Sequence, residues 1–117
     1  MHERIIRDYF GGWERKDWNA VRNQLAAAFT FTSPAPDDHI PIEQFRAKCW
    51  NQAEHIQGFE FVRIVSGEAD AFALVHVITK QGRRLRNIEY FRFDNGKIAS
   101  IEVFFGGTGE GFPTNAR

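Results

Sequence analysis

Cysteine is nearly absent: Cys49 stands alone among 117 residues. A disulfide framework and a zinc site of several thiolates are both excluded. Net charge is absent too, with 15 Lys and Arg against 15 Asp and Glu. Binding nucleic acid by phosphate neutralisation needs a basic excess, so nucleic acid is not expected as a partner. No apolar run is long enough to cross a bilayer. The charged N-terminus (Glu3, Arg4, Arg7, Asp8) leads into no signal-type apolar stretch. A cytoplasmic chain without membrane contact is therefore expected. Repeats and low-complexity segments are missing. The four histidines show neither His-x-His nor His-x3-His spacing, so neither metal nor cofactor is expected.

Aromatic residues are in excess: 12 Phe, 3 Trp and 2 Tyr, 15% of the chain. The length fits one domain able to bury about two thirds of its surface. That domain is expected over residues 1–106. The glycine-rich end, 107–117, reads as a flexible C-terminal tail.

The chain reads as helices first, then strands. Ile5, Ile6, Tyr9, Phe10 and Trp13 recur at helical spacing over residues 2–15. Gly11 and Gly12 interrupt the stripe and allow close packing there. Asp17 suits the N-cap of a second helix carrying Trp18, Val21 and Leu25. Phe29 to Ser33 alternates apolar and hydroxyl residues like a strand, and Pro34 and Pro36 end it. Pro41 can open a third helix with Ile42, Phe45 and Cys49 on its apolar side. Then come strands at Phe59–Val65, Ala71–Thr79, Leu85–Phe93 and Ile98–Phe105. Turns are placed at Gly67, at Gln81-Gly82, and at Asp94-Asn95-Gly96, a strong hairpin signal. The pattern predicts an α+β fold with an antiparallel meander. Both parities of the last two strands hold apolar residues, so something covers the outer face. A second copy of the chain is the expected cover, a homodimer through Ile88, Tyr90 and Phe104.

Three stretches carry a family resemblance: Arg7-Asp8-Tyr9-Phe10-Gly11-Gly12-Trp13 with Asp17-Trp18, then Phe29 to Pro34, then Ile88 to Ile98 with its closing Gly96-Lys97-Ile98. Together they resemble the nuclear transport factor 2-like superfamily, and within it the SnoaL-like domains, over residues 4–106. The resemblance implies a cystatin-like cone: a curved antiparallel sheet wrapped around three N-terminal helices, with an apolar pocket inside and dimers through the outer face. The superfamily's ketosteroid isomerases use a helix-1 Tyr and a protonated late-strand acid to hold an oxyanion, with an Asp before a Pro as base. On that register Tyr9 falls on the Tyr, Glu89 on the acid and Ser33 on the base. A serine hydroxyl cannot accept and return a proton as a carboxylate does. The resemblance thus implies an oxygen cradle without its base.

Parity sorting gives the expected site. Glu89 inward brings Leu85, Asn87 and Phe91 with it. Phe72, Leu74 and His76 are assigned inward on the preceding strand. Trp13, Phe29, Phe31, Ser33, Trp50, Ile101, Val103 and Phe105 complete a binding wall. Glu89 and His76, with Tyr9, form the expected acid–base set, and Asp37, Asp38 and His39 a second constellation at the pocket mouth, in which Asp37 and His39 could pair on one side while Asp38 faces away. Cys49 reads as a small buried side chain and His55 as exposed. Two readings stay open. One is a metal-free isomerase, cyclase or lyase acting by proton transfer on a small hydrophobic molecule. The other is a non-catalytic ligand-binding or homodimeric scaffold domain.

Overall fold

The computed structural model describes residues 2–107. Helix α1 spans His2–Arg15 and α2 spans Trp18–Arg22. Strands β1 (Leu25–Ser33) and β2 (Asp37–Pro41) precede α3 (Ile42–Cys49), which runs on into a 3₁₀ turn at Trp50–His55. Strands β3 (Ile56–Ser66), β4 (Asp70–Thr79), β5 (Arg84–Asp94) and β6 (Lys97–Gly107) follow. The expected tail lies outside the described residues, except that Gly107 closes β6.

Local chemistry explains the boundaries. Asp17 caps α2, its carboxylate accepting from the Ala20 N–H at 3.2 Å. A two-residue type I′ turn needs positive φ at both central positions, and Asn95 and Gly96 supply it at 50° and 76°. Gly12 lets the first two helices meet. A Cβ there would lie 2.8 Å from Val21 Cγ2 and 2.9 Å from the Val21 backbone nitrogen. Leu25, read above with the second helix, instead begins β1, because the helix ends at Arg22.

The six strands form one curved sheet in the order β2-β1-β6-β5-β4-β3. Neighbours are antiparallel, with one exception: β1 runs parallel to β6. The concave face closes on α1 and α3. Tyr9 and Phe10 of α1 pack edge-on against Phe91, and Phe10 also meets Phe59 and Phe61. Phe45 of α3 packs on Phe29 and Phe31. The Glu14 carboxylate accepts from the Phe59 N–H at 2.9 Å, and Lys16 Nζ donates to the Ile56 carbonyl at 3.1 Å. These two bonds pin the end of α1 to the start of β3.

Strand β4 faces the other way from the expectation. Residues directly opposed across a ladder share a face. Glu89 opposes Ala73, Asn87 opposes Val75, and Phe91 opposes Ala71. Ala71, Ala73 and Val75 are therefore inward and buried. Phe72, Leu74 and His76 lie on the outer face, opposite Tyr90, Ile88 and Arg86. His76 is thus not beside Glu89. Its nearest acid is Glu60, with Nδ1 3.5 Å from Oε1.

Candidate functional site

The concave face and helices enclose a cavity of about 640 Å³, open at one side. Its inner wall carries Tyr9, Asn87 and Glu89. Apolar side chains surround these groups, chiefly Phe10, Trp13, Phe31, Phe59, Leu85 and Val103. Toward α3 the lining turns polar, with Ser33, Asp37, Lys48, Cys49, Gln52 and His55.

Glu89 is 6% exposed. Burial pushes its carboxyl up to about 7, opposed by a hydrogen bond from the Asn87 amide. Desolvation disfavours the charged form, so at neutral pH Glu89 is held near half-protonation and can donate a hydrogen bond. Tyr9 is equally buried. Burial raises its phenol well above the ordinary value, and the Glu89 charge adds to that. It stays a neutral O–H donor.

A second cluster is built by the β1–β2 hairpin. Pro34-Ala35-Pro36 forms its turn, and Ser33 pairs with Asp37 across it. The Ala35 N–H donates to Ser33 Oγ at 3.1 Å. Ser33 Oγ in turn donates to Asp37 Oδ2 at 2.8 Å. Lys48 of α3 closes the cluster with a hydrogen-bonded ion pair to Asp37 Oδ1. Asp37 is 4% exposed. The Lys48 contact, helped by Ser33, holds its carboxyl below the ordinary value against the opposing effect of burial. Burial, then the Asp37 charge, raises the nearby Cys49 thiol to about 11, so it stays protonated and unreactive at neutral pH.

The structure sorts the expected residues. Tyr9, Trp13, Phe31, Ser33, Asn87, Glu89, Val103 and Phe105 line the cavity. Phe29, Phe91 and Ile101 are buried core instead. Trp50 packs between Trp13 and Trp18, with ring centroids 4.8 and 5.3 Å away. Leu74 and His76 are outside, for the register reason given. Asp38 and His39 also leave the site. They pair with each other at 2.5 Å, both largely exposed. His39 has φ 53°, which breaks the strand alternation that would have aimed it with Asp37. Sequence reading placed Asp37 near the pocket mouth but with His39 as its partner, and missed Lys48 and the pairing of Asp37 with Ser33. The signal was there in Ser33-Pro34-Ala35-Pro36-Asp37, a turn short enough to set Asp37 beside Ser33. Among the described residues no group of three or more His, Cys, Asp or Glu is arranged to hold a metal, and no helix is long and apolar enough to cross a membrane.

Helices inside a curved six-stranded sheet, around an open cavity, define a nuclear transport factor 2-like, cystatin-like protein. The family model for the SnoaL-like domain matches residues 6–101, and the chain belongs to that family. Solved structures agree on the fold. A protein with a cystatin-like fold from Methylobium petroleophilum superposes with TM-score 0.76 at 19% identity, covering 90% of this chain and 75% of that one. A proposed ketosteroid isomerase from Kribbella flavida gives 0.70 at 16%, covering 87% and 75%. AclR from Streptomyces galilaeus, a proposed hydroxylase, gives 0.73 at 14%, covering 89% and 74%. No functionally curated protein matches the chain in sequence.

Proposed function

We propose that the cavity takes a small, largely apolar carbonyl compound and that Glu89 serves its chemistry by proton transfer. One observation carries this reading: a carboxyl poised near neutral pH lies in the wall of an open apolar cavity, with the Tyr9 phenol on the same wall. Perturbed acids in clefts mark functional sites more often than chance. The carbonyl oxygen accepts from Tyr9 and from protonated Glu89, and these donors stabilise the enol that forms on it. The apolar walls select for the rest of the molecule. Likeness to a proposed ketosteroid isomerase is in keeping with this chemistry.

A bicyclic ketone, 2-tetralone, tests the reading through quenching of tryptophan fluorescence, since Trp13 lines the cavity. Binding is expected to be saturable and tighter at pH 6 than at pH 8. The sign follows from Glu89: below about 7 it donates to the carbonyl, and above it the carboxylate repels that oxygen. Glu89→Gln keeps a donor at every pH and is expected to flatten the profile. Affinity that does not change with pH in the parent protein would count against the role of Glu89.

We infer also that two copies pair through the outer sheet face. Phe72 is 48% exposed and Phe104 47%, and with Ile88 they make an apolar patch around the half-buried Tyr90. Light scattering at micromolar concentration should give twice the chain mass, and Ile88→Lys should halve it. A parent protein that is already monomeric overturns the pairing.

A further inference from the structure

The outer face of the sheet leaves one positive and one negative side chain unmatched, on opposite sides of its apolar patch. We propose that these two charges set how two copies meet, with Arg86 of each copy reaching Glu102 of the partner subunit. The proposal rests on the outer-face pairing inferred above and adds its orientation and its specificity.

The ladders give the layout. Ile88 lies opposite Leu74 on one side and Phe104 on the other, so these three form an apolar row across β4, β5 and β6. Arg86 precedes Ile88 by two residues on β5. Glu102 precedes Phe104 by two residues on β6. Because β5 and β6 are antiparallel, Glu102 stands on the other side of the row, opposite Tyr90. A two-residue step along a strand is about 7 Å. Arg86 and Glu102 therefore flank the row at equal distances on the same face.

The other charges of this face are matched within the chain or favour neither side. Beyond Arg86, Arg84 forms an ion pair with Glu60, and His76 Nδ1 stands 3.5 Å from the same carboxylate. Beyond Glu102, Asp70 accepts from the Tyr90 hydroxyl at 2.8 Å and lies opposite Arg92 across the ladder. Arg63 of β3 is level with the row itself, opposite Leu74. Among the described residues, neither Arg86 nor Glu102 forms an ion pair. Arg86 is exposed and Glu102 half-buried.

Symmetry converts this layout into an orientation. A two-fold contact uses the same patch on both chains, so if one residue meets another, the reverse contact also forms. A two-fold axis along the apolar row, at right angles to the strands, brings the two rows together at the centre. It also carries the Glu102 level of each copy onto the Arg86 level of the other. The two residues then sit one strand apart, about 4.8 Å, a gap that an arginine side chain spans. An axis along the strands would instead set Arg86 level with Arg86, like charge against like. Joining by sheet edges is disfavoured. Strand β2 has only five residues, and the β3 edge is broken by two register shifts. Short and bulged edges resist pairing. Charges around an apolar contact fix its register and reject wrong arrangements.

Sedimentation equilibrium of the full chain tests the contact. Arg86→Glu and Glu102→Arg, each alone, set like charges together at both symmetric contacts. Each is expected to raise the dissociation constant at least about tenfold. Mixed in equal amounts, the two variants regain opposite charges at both contacts, so a heterodimer should form with an affinity close to that of the parent. Recovery on mixing requires contact between chains, and neither a folding defect nor a role within one chain produces it. Single variants that pair as tightly as the parent, or a mixture as weak as its components, overturn the orientation and leave the outer-face pairing standing. A monomeric parent overturns both.

Discussion

Glu89→Gln is expected to stabilise the protein by about 3 kcal/mol at pH 8 and to change little at pH 4. The magnitude follows from a carboxyl raised from 4.5 to about 7, which corresponds to about 3 kcal/mol between its protonation states. The folded protein holds the Glu89 proton more tightly than the unfolded chain does. Its favourable contribution is then complete below 4.5 and is lost as pH rises through about 7. Glutamine resembles the protonated acid in shape and carries no charge at any pH. The gain over the parent should therefore open between pH 4.5 and 7 and stay level above. Urea unfolding at pH 4, 6 and 8 reads it directly. Equal midpoints for the two proteins at pH 8 would show that Glu89 carries no buried charge. The prediction does not depend on any ligand, so it tests the electrostatics of the site by itself. It also states what function costs here: a carboxyl kept in an apolar wall weakens the fold at the pH where it is useful.

The fold was legible because its signals were local and repeated. The stripe of Ile5, Ile6, Tyr9, Phe10 and Trp13 marked α1, Asp17 marked the next cap, and Asn95-Gly96 marked the β5–β6 turn, with Asp94 opposite Lys97. A bulge between Arg92 and Phe93 then shifts the pairing by one, and that shift, which the turn does not signal, sets Glu89 opposite Val103 on the concave face. Strand β4 failed for a definite reason. A two-residue turn at Gln81-Gly82 would pair Lys80 with Arg83, and so Leu74 with Glu89. The chain instead closes with the Thr79 N–H on the Arg83 carbonyl, and Gly82 takes φ 87°. That is a three-residue loop with glycine in the left-handed position. One residue of difference sends every side chain of β4 to the other face. Size then misled in the same direction. Ala71 and Ala73 are inward because aromatic residues of α1 and β5 fill the space above them, while bulky Phe72 sits outside. Asp37 was hidden by a different effect. Three neighbours, Asp37-Asp38-His39, looked like one polar loop, and only the β1–β2 pairing tells the buried acid from the two exposed residues.

Phe45→Ala is expected to cost about 3–5 kcal/mol, the usual range for removing a buried Phe. The side chain is 1% exposed. Its ring centroid lies 4.7 Å from that of Phe31, 5.2 Å from Phe29, 6.2 Å from Trp13 and 6.3 Å from Trp18. Four rings cannot close over the gap without leaving their own partners, since Trp13 and Trp18 already flank Trp50. A domain of this size has a total stability of about 5–15 kcal/mol, so the loss takes a large share of it. Urea unfolding measures the loss. A cost below about 1 kcal/mol would mean that these rings do not act as one packed unit. Phe45 also borders the cavity, so its removal enlarges the space next to Phe31. An apolar molecule filling that space should recover part of the loss, because a ligand bound only by the folded state stabilises it by mass action. Recovery in Phe45→Ala, set against the effect of the same molecule on the parent protein, separates two duties of the aromatic excess. Rings that fill the core leave a hole when cut. Rings that enclose a space leave a larger site, and Phe45 stands on the boundary between them.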